Sequence, residues 1–193
     1  MKVKYLFLTV FIFVSGFSFS QNKTKKYHFH SINSIGLVNG GNAVSAALQS
    51  VNGFQKGPLF AGIGVGLDYY LYRTVPVFAD VRYELGKKKN KFFVYADGGI
   101  NISWAQDYYI IEPWPVAGNE EPGNDFGNGI YTDAGGGYAV AMKKNNALVL
   151  SLGYSHKRLK QTYRYLDWRT NEWQTDLYRY NLNRVLLKIG WRF

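Results

Sequence analysis

From residue 28 onward, apolar and polar side chains alternate with a period of two in one segment after another, and Gly, Pro, Asn or Lys turns separate the segments. That period puts successive side chains on opposite faces of a strand. The pattern predicts strands over 28–39, 43–52, 59–71, 75–85, 91–104, 128–142, 146–161 and 177–193. The run AVSAAL at 43–48 fits a turn of helix as well as a strand.

The best-patterned segments each have one bulky apolar face and one small or polar face. In 59–71, Leu59, Ala61, Ile63, Val65, Leu67, Tyr69 and Leu71 alternate with Gly62, Gly64, Gly66 and Asp68. In 75–85, Val75, Val77, Ala79, Val81, Tyr83 and Leu85 oppose Asp80, Arg82 and Glu84. In 91–104 the face from Phe92 to Trp104 is apolar, and Tyr95, Asp97, Gly99, Asn101 and Ser103 oppose it. The last segment sets Val185, Leu187, Ile189, Trp191 and Phe193 against Arg184, Lys188, Gly190 and Arg192.

Alternation alone also fits a soluble barrel or sandwich with the apolar face inward. In that arrangement the bulky faces would crowd a narrow interior and the glycines would face water. Turned inside out, the small residues line a narrow lumen and the long apolar face meets lipid. The inward charges then balance: Asp68, Asp80, Glu84, Asp97 and Asp133 against Arg82, Arg184, Lys188 and Arg192. Buried charges persist only when paired and hydrogen-bonded, and this inventory permits a lumen charge network. Arg82 and Asp97, on strands joined by a short turn, are the expected pair within it. Closure also removes the sheet edges that hydrocarbon does not tolerate. The expected fold is all-β, an eight-stranded antiparallel transmembrane β-barrel of up-and-down topology.

Connection lengths agree with that expectation. With both termini periplasmic, the turns GKKKN at 86–90 and KKNN at 143–146 fall on the periplasmic side and are short. The connections at 105–127 and 162–176 fall outside and are long, as in such barrels. The first outer connection, at 39–42, is short, and nothing in the sequence accounts for it.

The N-terminus fits export. Lys2 and Lys4 precede the apolar run LFLTVFIFV, and SGFSFSQ closes it with small residues, the order of a signal peptide. Residues 1–21 read as that leader, 22–27 as a flexible lead-in and 28–193 as the barrel domain. Nothing later reaches the roughly 18 apolar residues of a helical span. The chain has no cysteine, which excludes a disulfide scaffold, a thiolate metal site, a cysteine nucleophile and a lipid anchor on cysteine. Without Lys2 and Lys4 the formal charge falls from +10 to +8. For an exported chain without an aromatic-basic nucleic-acid module, anionic surface lipid is the expected partner and nucleic acid is not.

The runs LFAGIGVGLDYYLYRTVPVFADVRYEL at 59–85 and NKFFVYADGGINIS at 90–103, a chain ending LLKIGWRF, and a leader ending Ser-Gln together resemble the small outer-membrane β-barrel proteins of the Bacteroidetes type. The resemblance spans most of the mature chain. It implies eight strands, a place in the bacterial outer membrane with periplasmic termini, and a last strand read by the barrel-assembly machinery, here through Trp191 and Phe193. It implies no particular chemistry.

Candidate sites are few. His28 and His30 share a face, but no third metal ligand is near them, so no metal and no cofactor are expected. Ser155 and His156 are adjacent, so on a strand they point to opposite sides and cannot form a nucleophile–base pair. The runs at Gly62–Gly66 and Gly135–Gly137 lack the strand–turn–helix context of a phosphate loop. The connection 105–127 is acidic and aromatic. The region 156–179 is basic and aromatic, and Lys157, Arg158, Lys160, Tyr163, Arg164, Tyr165, Trp168 and Arg169 form a candidate contact surface for lipopolysaccharide or another ligand. Alternatively the acidic stretch satisfies these charges within the chain. The expected role is structural or surface docking, with no catalytic residues assigned. A narrow channel, a secreted lipocalin-like carrier and an outer-membrane acyl-lipid enzyme remain as alternatives.

Overall fold

The computed structural model describes residues 27–41, 43–86, 89–104, 123–143, 146–167 and 169–193, so the expected leader and nearly all of the lead-in lie outside the described residues. Alternating side chains produce strands throughout: β1 His28–Gly40, β2 Ala43–Lys56, β3 Leu59–Asp68, β4 Thr74–Leu85, β5 Lys91–Ser103, β6 Gly123–Gly127, β7 Gly129–Ala141, β8 Ala147–Asp167 and β9 Glu172–Arg192. Residues 43–48 belong to β2 and are not helical. They hydrogen-bond in register against β1, which a helical turn would forbid.

All pairings are antiparallel. Each of β1 to β5 and of β7 to β9 has a partner on both edges, and β9 lies between β8 and β1. Among the described residues there are nine strands, where eight were expected. The additional strand, β6, pairs with the part of β8 just beyond β7. Gly127 pairs with Lys160 and Tyr131 with Lys157, so the register slips by one residue between β6 and β7. Such a slip is a bulge, and it divides one edge into two pieces. Gly129 sits at the break, where a Cβ would lie 1.8 Å from the Arg158 carbonyl oxygen.

Strand ends differ from expectation for local reasons. β3 stops at Asp68, short of residue 71, because the Asp68 carboxylate accepts the Tyr70 backbone N–H at 2.9 Å and turns the chain. The largest difference is at 162–176, expected as a loop. Those residues instead lengthen β8 and β9, which stay paired in one unbroken register from Ala147↔Arg192 to Asp167↔Glu172. The turn at the tip contains Asn171 at φ 57°, a conformation that asparagine tolerates.

Burial divides every long strand by parity. The inner face is polar and aromatic: Asp68, Asp80, Arg82, Glu84, Asp97, Asp133, Arg184 and Lys188 are buried, beside Phe60, Phe78, Phe93, Tyr95 and Tyr131. The outer face exposes Ile63 (70 %), Phe92 (65 %), Val81, Ile100, Leu152 and Leu187. Large inner rings need thin neighbours. A Cβ on Gly64 would lie 2.4 Å from the Phe78 ring, so the bare backbone there makes room for it. The sheet therefore buries its charged face and exposes its apolar one, the reverse of a soluble core.

Candidate functional site

The interior charges form four groups. Near the end of the sheet that holds Phe193, Glu84 accepts from Lys91 Nζ at 2.6 Å and from Arg192. Farther in, Arg82 donates through Nε and Nη2 to Asp80 at 3.0 and 2.7 Å. Lys188 Nζ lies 2.7 Å from Asp133 and 3.9 Å from Asp97, and donates to Gln49 Oε1 at 3.1 Å. Gln49 donates to the Tyr131 hydroxyl at 2.7 Å, and Tyr95 donates to Asp133 at 3.2 Å. Toward the other end, Arg184 pairs with Asp68 and donates to Ser155 Oγ at 2.9 Å. Lys157 Nζ reaches Asp68 at 3.4 Å, Thr74 Oγ1 at 2.9 Å and the Tyr70 carbonyl at 3.0 Å.

Two expectations are corrected by this geometry. Arg82 pairs with Asp80, two residues away on its own strand, and not with Asp97. The register places Asp97 opposite Asp80 and opposite Asp133, while Arg82 stands opposite Tyr95. Neither Asp97 carboxylate oxygen accepts a hydrogen bond. Lys157 is no surface residue: it is fully buried and serves as a fifth interior cation beside Arg82, Arg184, Lys188 and Arg192. The sequence did carry that signal, because Lys157 has the parity of Ser155 and Ser151, both inward.

Beyond the sheet's far end, residues 158–167 and 172–181 form a ribbon roughly 30 Å long, with β6 added as a third strand alongside Lys160 to Arg164. Its two faces differ in chemistry. The face that continues the outer surface carries Arg158, Lys160, Arg164, Arg179, Leu177 and Trp173, with Asp125 of β6 as its one acid among the described residues. Arg164 lies over the Trp173 ring at 4.7 Å. The face that continues the interior carries Tyr163, Tyr165, Tyr178, Tyr180, Asp167, Asp176 and Glu172. Tyr163 and Tyr165 stack at 5.4 Å, and the Asp176 charge holds the Tyr165 and Tyr178 phenols above their ordinary pKa. Tyr72 packs on Phe126 and donates to Gln161 Oε1 at 2.7 Å, so the base of this face leans over the mouth of the sheet.

The proposed contact surface is thus split. Arg158, Lys160 and Arg164 stay together and gain Arg179. Tyr163 and Tyr165 face the other way, Arg169 sits in the tip turn, and Trp168 lies outside the described residues. The acidic stretch before Gly123 lies outside them as well. Outward residues along β8 run Leu148, Leu150, Leu152, Tyr154, His156, Arg158, Lys160, from aliphatic through aromatic to basic.

Other candidates resolve into local contacts. Ser155 is buried on Arg184, while His156 faces outward and bonds Asn183 at 2.7 Å. His30 Nδ1 lies 2.8 Å from the Phe193 carbonyl. Among the described residues, no group of three or more His, Asp or Glu could hold a metal ion. Trp191 and Phe193 close β9, with the Phe193 N–H bonded to the Ser31 carbonyl at 3.0 Å.

No family model matches the sequence, and no curated protein sequence does either. Solved structures do resemble the fold. Neisserial surface protein A (NspA) superposes with a TM-score of 0.55 at 11 % identity, covering 86 % of this chain and 95 % of that one. The outer membrane protein AlkL, solved in lipid bilayers, gives a TM-score of 0.53 at 11 % identity, covering 91 % and 93 %. At such identities the likeness shows the fold: an all-β antiparallel sheet of the outer-membrane barrel kind.

Proposed function

We propose that the strand pairings close an eight-stranded barrel, that the barrel spans a bacterial outer membrane with both termini periplasmic, and that it belongs with the small barrels of the Bacteroidetes type. Its role in this reading is structural, with a docking face for anionic glycolipid on the ribbon. The observation that carries the reading is the reversal of faces: paired charges inside, and large apolar side chains over most of the outside. Only a lipid surround makes that arrangement favourable.

The docking face follows from the order of outward residues on β8. Aliphatic side chains suit hydrocarbon, Tyr154 suits the interface, and Arg158 and Lys160 then stand at headgroup height. Each exposed Lys or Arg near an anionic surface contributes about 1 kcal/mol. Lipopolysaccharide phosphates are the chemistry this stripe fits. The reading assigns no reaction to the chain, since Ser155 is engaged by Arg184 and His156 points away from it.

Two measurements test this. The chain should fractionate with outer membranes and run as a heat-modifiable band; recovery as a soluble protein would overturn the barrel reading. Replacing Arg158, Lys160 and Arg179 with Gln should weaken lipopolysaccharide binding by the refolded protein, measured by calorimetry at physiological salt, and leave its urea midpoint nearly unchanged. Equal binding by parent and variant would remove the docking face.

A further inference from the structure

One sector of the outer surface departs from the rest. Between the rims, the outward residues of β3, β4, β5 and β9 are apolar, but β1 and β2 present Ser31, Asn33, Ser50 and Asn52. The register joins them into one block, with Ser31 opposite Asn52 and Asn33 opposite Ser50. The block is not at the rim. It lies between the aromatic pair Phe29–Phe54, at 5.5 Å, and the aliphatic pair Ile35–Leu48.

We propose that this block is where the barrel pairs with a second copy of itself. The inference rests on the membrane reading above. Asn33 Nδ2 donates to Ser31 Oγ at 3.3 Å, and Asn52 Nδ2 donates to Ser50 Oγ at 3.5 Å. Each amide keeps a carbonyl acceptor and a second N–H for a partner. Lipid tails offer neither donor nor acceptor, so they cover Ile63 well and these amides poorly. A second copy offers both, because a row of amides and hydroxyls is complementary to itself. Copies inserted the same way up, related by a twofold axis along the membrane normal, bring the two blocks to equal depth.

Shape supports the same occupant. A shallow groove of about 820 Å³ passes over Asn33 and Ser50, bordered by Ile35, Leu48, Val65 and Trp191. That hollow, which has Ser34, Ser50, Gly66 and Gly190 among its lining residues, lets two walls approach more closely than convex surfaces would. Close approach through small residues, joined by side-chain hydrogen bonds, is how protein surfaces associate inside lipid.

The chain has no cysteine, so a single introduced one reports its own neighbours. Ser50→Cys and, on β5 away from the block, Ile100→Cys are expressed, and outer membranes are oxidised with copper phenanthroline. The expected result is a disulfide-linked dimer of this chain for Ser50→Cys and little for Ile100→Cys. Adding Asn33→Leu and Asn52→Leu to Ser50→Cys should abolish the dimer while leaving the heat-modifiable folded band intact. With the chain in the membrane fraction, any of three results overturns the inference alone: no dimer for Ser50→Cys, equal dimer for both cysteines, or a cross-link to a protein of another size. Persistence of the dimer in the leucine variant also overturns it, since the amides would then be idle. Recovery of the chain in the soluble fraction overturns the membrane reading, and this inference with it.

Discussion

Lys188 joins three strands through one ammonium group, reaching Asp133 on β7, Gln49 on β2 and Asp97 on β5 from its own place on β9. Lys188→Met removes the cation and leaves buried carboxylates without their partner, a loss of about 3–5 kcal/mol. Its urea midpoint in detergent micelles should fall clearly, and a midpoint equal to the parent's would mean the interior is more hydrated than its packing implies. Asp97→Asn should behave oppositely. Asp80, Asp97 and Asp133 stand side by side across three strands, and like charges placed opposite one another are unfavourable. Removing the middle charge strands no cation, because Arg82 keeps Asp80 and Lys188 keeps Asp133. The same unfolding experiment should give a midpoint equal to or above the parent's, and a clear fall would show that Lys188 depends on Asp97. At this scale, parity in the sequence gives the side of the strand on which each charge lies. It does not give the partner, because that depends on register across the 86–90 turn, and the turn residues leave register open by a residue or two.

For whole elements, legibility followed hydrophobic contrast. β3, β4, β5 and the second half of β9 separate a wet face from an apolar one, and their alternation locates them within a few residues. The ribbon does not. The run TYRYLDWRTNEWQTD at 162–176 is polar or aromatic on both faces apart from Leu166, and a strand without a face that avoids water has no period to read. β6 (GNDFG) is too short and too glycine-rich to show one. Just past the end of β9 stands Phe193, whose ring is exposed while its backbone is tied to Ser31 and His30. Phe193→Ser keeps those backbone bonds and removes only the ring. Folded protein in the outer membrane, read from the heat-modifiable band, should decrease while the exported amount stays constant. Equal folded bands would show that assembly does not use the ring.

At the scale of the whole molecule, the described interior is crowded with large side chains. Rings of Phe60, Phe78, Phe93 and Tyr131 cross it between the ion pairs, and the space bounded by Ile32, Phe60, Arg82 and Phe93 is only about 10 Å³. That is at the lower limit for a single water molecule. The refolded protein in planar bilayers should therefore give no current steps above baseline in molar potassium chloride, and regular steps would revive the channel alternative. The ladder between β8 and β9 has a mechanical side too. It runs without a break through 21 residue pairs, from one end of the wall to the tip of the ribbon. β9 is also the strand that meets β1, so a pull on the tip is delivered to the junction between the first and last described strands. The force arrives along the strands and across their hydrogen bonds, which then share the load in shear instead of opening one at a time. The ribbon is in this sense a mast stepped into the hull, and a load on its tip is carried down into the wall of the sheet.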